Sequence, residues 1–171
     1  MSFRMIRRAA VLALSGLAVL SLSFAVSAQS YQALVPFLID LPQWQGEKPD
    51  GMSMQAQGQE MSWATRAYKR GDAELSVMVG VGHPLAAQAE QMTTSSFQSE
   101  ETSMETGPVR GFQVARMHTK ADKSGMVMVM LSPGNAKGAM LMVQYTGLEP
   151  RDALALAERF DWAAMQRAGR R

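Results

Sequence analysis

Apolar residues alternate with other residues through the middle of the chain, and this period of two predicts β-strands. The clearest segment is 73–82, "AELSVMVGVG", which a short turn, "RGD", joins to the segment before it. Such a turn suits a hairpin. One face of segment 73–82 carries Leu75, Val77, Val79 and Val81. Further strands are predicted at 60–69, 109–120, 125–132 and 138–146.

Two other segments have the spacing of an amphipathic helix. The first begins at Pro84, carries an apolar stripe as far as Met92, and then turns polar from Thr93 to Thr106, where we expect a loop. The second, residues 149–166, has a proline near its start and an acidic residue in its first turn, both of which favour a helix N-terminus. Its apolar stripe consists of Ala153, Leu156, Phe160 and Ala163.

These elements predict an α+β domain with a mainly antiparallel sheet of about five strands and two helices packed on it. The predicted order is β-β-α-β-β-β-α. In this order the chain resembles the Mog1/PsbP-like arrangement of small α+β binding domains, and the resemblance is one of topology.

The N-terminal 28 residues have the three parts of a secretory signal peptide: early arginines, an apolar run and small residues before a cleavage point. We predict cleavage after Ala28 and location in the periplasm of a Gram-negative bacterium, without stable membrane insertion afterwards. The alternative is an uncleaved membrane anchor, since the apolar run is about long enough to span a bilayer. Arg7 and Arg8 also leave the twin-arginine export route open beside general secretion.

The chain after residue 28 has the length of one domain. We predict an extension at 29–51 that packs on the domain, the α+β domain itself at 52–166, and a basic tail at 167–171. Residues 31–41 are expected to form a short helix or strand, and residues 42–51 a loop fixed by Trp44.

Charge and cysteine content narrow the classes of function. The predicted signal peptide holds three of the 17 basic residues and none of the 15 acidic ones, so 14 basic residues remain against 15 acidic ones. A nearly neutral domain does not favour nucleic acid as a partner. The chain has no cysteine, which excludes disulfides and thiolate chemistry.

Methionine is the unusual component of this sequence, with 15 residues. Met126, Met128 and Met130 occupy alternate positions of one predicted strand, and Met140 and Met142 do so in the next. If Met130 lies opposite Met140, the two sets form one patch. A slip of one residue would place them on opposite faces instead.

Three interpretations of this methionine patch remain open. Methionine packs flexibly, so the residues can fill a core or receive a small apolar ligand or a protein partner. Thioethers are also soft ligands for Cu(I), which Met117 or His118 could complete. Lastly, exposed methionines are open to oxidation.

No catalytic motif accompanies the patch. Only two histidines occur, His83 at a strand-to-helix junction and His118 on a predicted strand, and no nucleophile motif stands near either. Glu100, Glu101 and Glu105 are expected in a solvated loop. We therefore predict a non-catalytic binding or accessory module that needs no cofactor or metal, with Met126, Met128, Met130, Met140 and Met142 as its binding residues. Cu(I) binding or redox sensitivity is the alternative, and an unrecognised hydrolase using either histidine is a third hypothesis.

Overall fold

The structure, a computed structural model, describes residues 31–56, 59–82, 97–132 and 138–170. Three predictions lie outside these residues: the signal peptide with its cleavage after Ala28, the helix beginning at Pro84, and the junction that contains His83. Within the described residues, no helix is long and apolar enough to cross a membrane.

The described chain is built on one antiparallel sheet, which confirms the broad α+β class. Its path runs β1-β3-β4-β9-β8-β7-β6-β5, and β2 pairs beside β1 on β3. The strands are β1 (Gln45–Gly46), β2 (Asp50–Ala56), β3 (Gln59–Arg70), β4 (Ala73–Gly82), β5 (Phe97–Gln98), β6 (Thr102–Val109), β7 (Phe112–Thr119), β8 (Ser124–Met130) and β9 (Gly138–Thr146).

The predicted number of strands, about five, is wrong, because the described residues contain nine. The short strands β1 and β5 and the longer β2 and β6 come from segments expected to be loops or left unassigned. β6 shows the reason: its sequence, "TSMETGPV", lacks an apolar alternation and contains a glycine and a proline. The hydrogen bonds of its neighbour β7 hold it in the sheet, which is a tertiary effect that local pattern does not report.

The single helix expected at 149–166 is also wrong, since this segment forms two helices, α1 (Pro150–Ala157) and α2 (Trp162–Gly169). Asp161 caps α2 by accepting a hydrogen bond from the Ala164 amide at 2.9 Å. The Trp162 indole Nε1 donates to the Ala157 carbonyl at 2.8 Å, which satisfies one of the last carbonyls of α1. These two side chains stabilise the break between the helices.

Both helices lie over one face of the sheet, which we call the helix face. There α1 contacts β8 and β9, while α2 contacts β9 and β4. The close approach of α2 depends on Gly169, because a Cβ at this position would lie 2.6 Å from the Cβ of Ala139. The central row of this face is almost fully buried and consists of Ala64, Val79, Leu141, Val129 and Val114.

The N-terminal residues of the described chain lie against β3 on the same face. Residues 31–33 and 35–37 form two 3₁₀ turns, in a segment expected to be a short helix or strand. Arg66 donates to the carbonyls of Leu38 and Glu47 at 2.8 Å each, and it also pairs with Asp40. Tyr68 Oη donates to the Ile39 carbonyl at 2.8 Å, so β3 holds this segment by hydrogen bonds as well as by apolar contact.

Candidate functional site

The register of β8 against β9 places Met130 opposite Met140 and Met128 opposite Met142. The sequence left two registers open, and the structure has the one that places the methionines of β8 and β9 in a single patch. The next strand continues the pattern, because β4 sets Met78 opposite Met142. Side chains at opposed positions of an antiparallel pair share a face, so these thioethers lie together.

The same pairing extends across the whole sheet, and we call this side the methionine face. Of the 12 methionines in the described residues, only Met165 lies elsewhere, on α2. The residues of the methionine face are Met52, Met54, Met61, Met78, Met104, Met117, Met126, Met128, Met130, Met140 and Met142.

Burial divides the predicted binding residues. Met128, Met130 and Met140 are only 2, 5 and 2% exposed, and with Ala115 they form a hydrophobic cluster separate from the core under the helices. Met126 and Met142 are half-buried at the margin of this cluster, as is Met78. The middle of the methionine face is therefore core, and only its margins offer accessible thioethers.

One margin is a groove that crosses β3, β4 and β9. A cavity of about 160 Å³ is lined by Met78 and Met142 together with Thr65, Ser76 and Gln144. Gln144 Nε2 lies 3.7 Å from Met142 Sδ, so an amide donor stands next to a thioether. A second cavity, of about 210 Å³, shares Ser76 and Gln144 and leads toward the ion pair of Lys69 and Glu74, whose atoms are 2.9 Å apart.

The other margin is β2, where Met52 and Met54 are 52 and 45% exposed. Met52 is paired with Trp63 and Met54 with Met61, both of which are half-buried. These are the most exposed methionine side chains in the part of the chain that the structure describes.

Of the two candidates for completing a metal site, only Met117 joins the methionine face, opposite Met126. His118 points to the helix face, where it is 8% exposed and its Nδ1 lies 3.1 Å from Tyr145 Oη. The two rings stack with centroids 6.0 Å apart. Burial raises the pKa of Tyr145 to about 12, with Glu149 adding to the rise, so the phenol stays protonated at neutral pH.

Gly125 makes room for this pair. A Cβ at Gly125 would lie 2.5 Å from Tyr145 Oη and would also collide with the Met117 carbonyl. The geometry around His118 is that of a packed histidine bonded to a neutral phenol.

The remaining candidates are separated from the methionine face. Glu105, expected in a solvated loop, has an exposed side chain that pairs with Arg116 at 2.9 Å, but it lies on β6, so the expectation of a loop is wrong for this residue. Trp44 is buried beneath the Arg70 guanidinium, whose carbon lies 4.6 Å from the ring centroid. Among the described residues, no group of three or more His, Cys, Asp or Glu side chains could hold a metal ion.

Sequence reasoning missed the groove residues Met78, Thr65, Ser76 and Gln144. The alternation along 73–82 already set Met78 and Ser76 on the face away from the valines. The sequence did not reveal the pairing of β4 with β9, which brings together Met78 and Met142, 64 residues apart in the chain.

Comparison with known proteins adds no assignment to this geometry, because no protein family, curated protein or solved structure matches the chain. The resemblance to the Mog1/PsbP-like arrangement accordingly stays a prediction from element order.

Proposed function

We propose that this chain is a non-catalytic binding module of the bacterial periplasm, and that the groove on its methionine face receives an apolar segment of a partner protein. The observation that carries the proposal is the separation of the two faces. The helix face is covered by α1 and α2, whereas the methionine face collects thioethers beside a groove lined by Met78 and Met142.

Methionine suits such a surface because its unbranched side chain has three rotatable bonds and a polarisable sulfur. It can therefore adapt to side chains of different shape at little cost. The half-buried positions of Met78 and Met142 leave part of each side chain for a partner, while Met128, beside Met142 on the next strand, is buried.

The shape of the groove favours a peptide segment over an enclosed small molecule. Each cavity is smaller than the roughly 300–1,000 Å³ typical of pockets that enclose a ligand. The two cavities share Ser76 and Gln144 as lining residues, so they lie next to each other, and an extended segment can occupy both. A small apolar ligand is the alternative occupant.

Polar groups at the margin of the groove are placed to set the orientation of a bound segment. Thr65 and Ser76 bring hydroxyls, and Gln144 brings an exposed amide. Convergent polar groups next to an apolar surface fix the orientation of a bound chain through its backbone N–H and C=O groups. The groove is therefore suited to an extended segment with small apolar side chains.

The experiment is site-specific photocrosslinking in intact cells. A benzophenone amino acid replaces Gln144 at the groove or, as the matched control, Arg151 on the outside of α1, where the side chain is 89% exposed. We expect a discrete adduct from position 144 that is absent from position 151. The adduct should disappear when Met78→Glu places a charge in the groove, and an adduct that survives this change would contradict the proposal.

Replacing Met140 with alanine is not a useful binding test. The side chain is 2% exposed and belongs to the buried cluster, so its loss would act on stability. Met142 and Met78 are the informative positions because a partner can reach them.

The periplasmic part of the proposal rests on the N-terminal sequence, and it has its own test. The protein recovered from the periplasmic fraction should begin at Gln29 when its N-terminus is sequenced. A chain that keeps residue 1 and stays with the membrane fraction would overturn this part alone.

A second candidate function, Cu(I) binding, is favoured by one specific row of the sheet. Met78, Met142 and Met128 occupy consecutive opposed positions on three neighbouring strands. Neighbouring strands lie about 4.8 Å apart, so long flexible side chains in such a row can bring their sulfurs together. Three thioethers form a soft ligand set of the kind that selects Cu(I).

Titration with Cu(I) against a competing chelator tests this candidate. Leucine at positions 78, 142 and 128 keeps volume and removes sulfur, and leucine at the exposed Met52 and Met54 is the matched control. Copper binding should be lost in the triple variant and kept in the control. Binding no tighter than about micromolar in the wild-type protein would eliminate the candidate.

A further inference from the structure

The two edges of the sheet differ in how they are protected. On one side β6 extends beyond its short partner β5, so part of β6 forms the edge. This strand carries Pro108, which lacks an N–H, and Glu105, which is charged. Both are devices that prevent another strand from pairing with an edge. On the other side, β2 pairs with β3 alone among the described strands, so its outer edge has no strand partner there.

The edge formed by β2 has none of these protections. Its sequence, "DGMSMQA", contains no lysine and no proline, and its one charge is Asp50 at the first position. Met52 and Met54 are 52 and 45% exposed. An edge strand of seven residues that has exposed apolar side chains and a charge only at its first position is a template for pairing with another strand.

We infer that this edge pairs with the same edge of a second copy of the chain, in an antiparallel register centred on Ser53. Two features of the strand, the symmetry of its sequence and the position of its one charge, favour a second copy over a foreign peptide. The order Met-Ser-Met is symmetric about Ser53, so each Met52 lies opposite Met54 of the other copy. All four exposed thioethers then meet in two cross-strand pairs on one face.

Charge supports the same register. In an antiparallel pair centred on Ser53, the two Asp50 residues stand at opposite ends of the paired strands. Like charges directly opposite each other would destabilise the pair, and this arrangement avoids them. The two sheets become one continuous sheet, and the methionine faces of the two copies join across the seam.

This inference does not depend on the groove at Met78 and Met142, and the two are tested separately. An interface made by one seven-residue strand from each copy is small, so we expect self-association in the micromolar range. Sedimentation velocity of the purified protein from about 1 to 100 µM should show a monomer that converts to a dimer.

Two double variants test the role of the exposed thioethers. Met52→Lys with Met54→Lys brings four positive charges to the seam and should weaken dimerisation by at least about tenfold. Met52→Leu with Met54→Leu keeps the apolar surface and should leave the dimer in place. A wild-type protein that stays monomeric at about 100 µM, or a lysine variant that dimerises as well as the wild type, overturns the inference.

The register is tested by disulfide formation, which is clean because the chain has no cysteine of its own. Ser53→Cys places the two thiols opposite each other, and residues directly opposed in an antiparallel pair have Cα atoms about 4.5–5.5 Å apart, within the range of a disulfide. Gln55→Cys, the control in the same strand, puts its two Cα atoms roughly 14 Å apart in this register. With oxidised glutathione, the first variant should give a covalent dimer and the second should not. Equal cross-linking of both variants would contradict the register.

Discussion

Both faces of the sheet contain buried apolar clusters, but these clusters are built from side chains of different stiffness. On the helix face, one row of paired positions across β3, β4 and β9 consists of Ala64, Val79 and Leu141. The adjacent position on each of these strands faces the other way, and these positions form the row Thr65, Met78 and Met142 on the methionine face. Valine has one strongly preferred rotamer in many backbones, whereas methionine has several. The helix face is therefore suited to a single fixed arrangement under α1 and α2, and the methionine face to adjustment.

This difference shows that burial and rigidity are separate properties. Met128 and Leu141 are both almost fully buried, at 2 and 0% exposure. A cavity beside a methionine can be partly filled by rotation of its neighbours, while a cavity among valines stays open. We expect the two faces to respond differently to the same change in volume, and two pairs of variants test that expectation.

The largest effect should come from truncation of core side chains on β9. Leu141→Ala should cost about 4 kcal/mol of unfolding free energy, because its valine neighbours cannot relax into the space. Met140→Ala, at the adjacent position on the opposite face, should cost about 2–3 kcal/mol, because the surrounding thioethers can move. Urea denaturation measures both. A larger loss for Met140→Ala would reverse the comparison.

Substitutions that enlarge or reshape a side chain should also affect the two faces differently, with smaller losses of unfolding free energy. Val143→Leu adds a methylene to a residue with 0% exposure on the helix face, and overpacking there should cost about 1–3 kcal/mol. Met128→Leu nearly conserves volume and should cost less than about 1.5 kcal/mol. Thermal unfolding of the two variants beside the wild type gives the comparison. Equal losses would mean that the methionine face is as rigid as the helix face.

Alkaline pH should act mainly through the helix face. Burial raises the pKa of Tyr145 to about 12 from its ordinary value of 10.0, so the neutral phenol is the form that the folded state favours. This contribution is complete below pH 10 and is lost as the pH rises toward 12, and it is on the order of 1–2 kcal/mol.

Tyr145→Phe should therefore flatten the fall in unfolding free energy between pH 10 and pH 12. Burial also raises the pKa of Tyr68 to about 12, so part of the fall should remain in this variant. Denaturant titrations across that range measure the slope. An unchanged slope in Tyr145→Phe would show that the phenol does not titrate differently in the folded and unfolded chains.

The sequence predicted the parts of the fold in which local pattern and tertiary structure agree. The strands at 73–82 and 138–146 have the bounds that were predicted, because their alternation is strong and turns flank them. β6 was not predicted because its place in the sheet depends on hydrogen bonds to β7. The break at Asp161 was not predicted because a helix cap and a hydrogen bond from an indole override the helical pattern.

The sequence predicted which type of residue forms the candidate site but not how many strands the site spans. The alternation fixed which methionines of a strand share a face, yet the register between strands decides whether neighbouring stripes meet. Pairing of Met128 with Met142 and of Met142 with Met78 requires contacts that no local signal specifies. Burial of Met140 likewise depends on what surrounds it in three dimensions.

The break between α1 and α2 has a geometrical consequence for the sheet beneath. Neighbouring strands rotate by roughly 20–25° relative to each other, so the surface from β8 to β4 is a saddle. A single straight rod of 20 residues, about 30 Å long, would touch such a surface only near its middle. Two cylinders of eight residues, about 12 Å each, can follow it, and α1 lies on β8 and β9 while α2 lies on β9 and β4. The break at Asp161 therefore lets two straight helices cover a curved sheet.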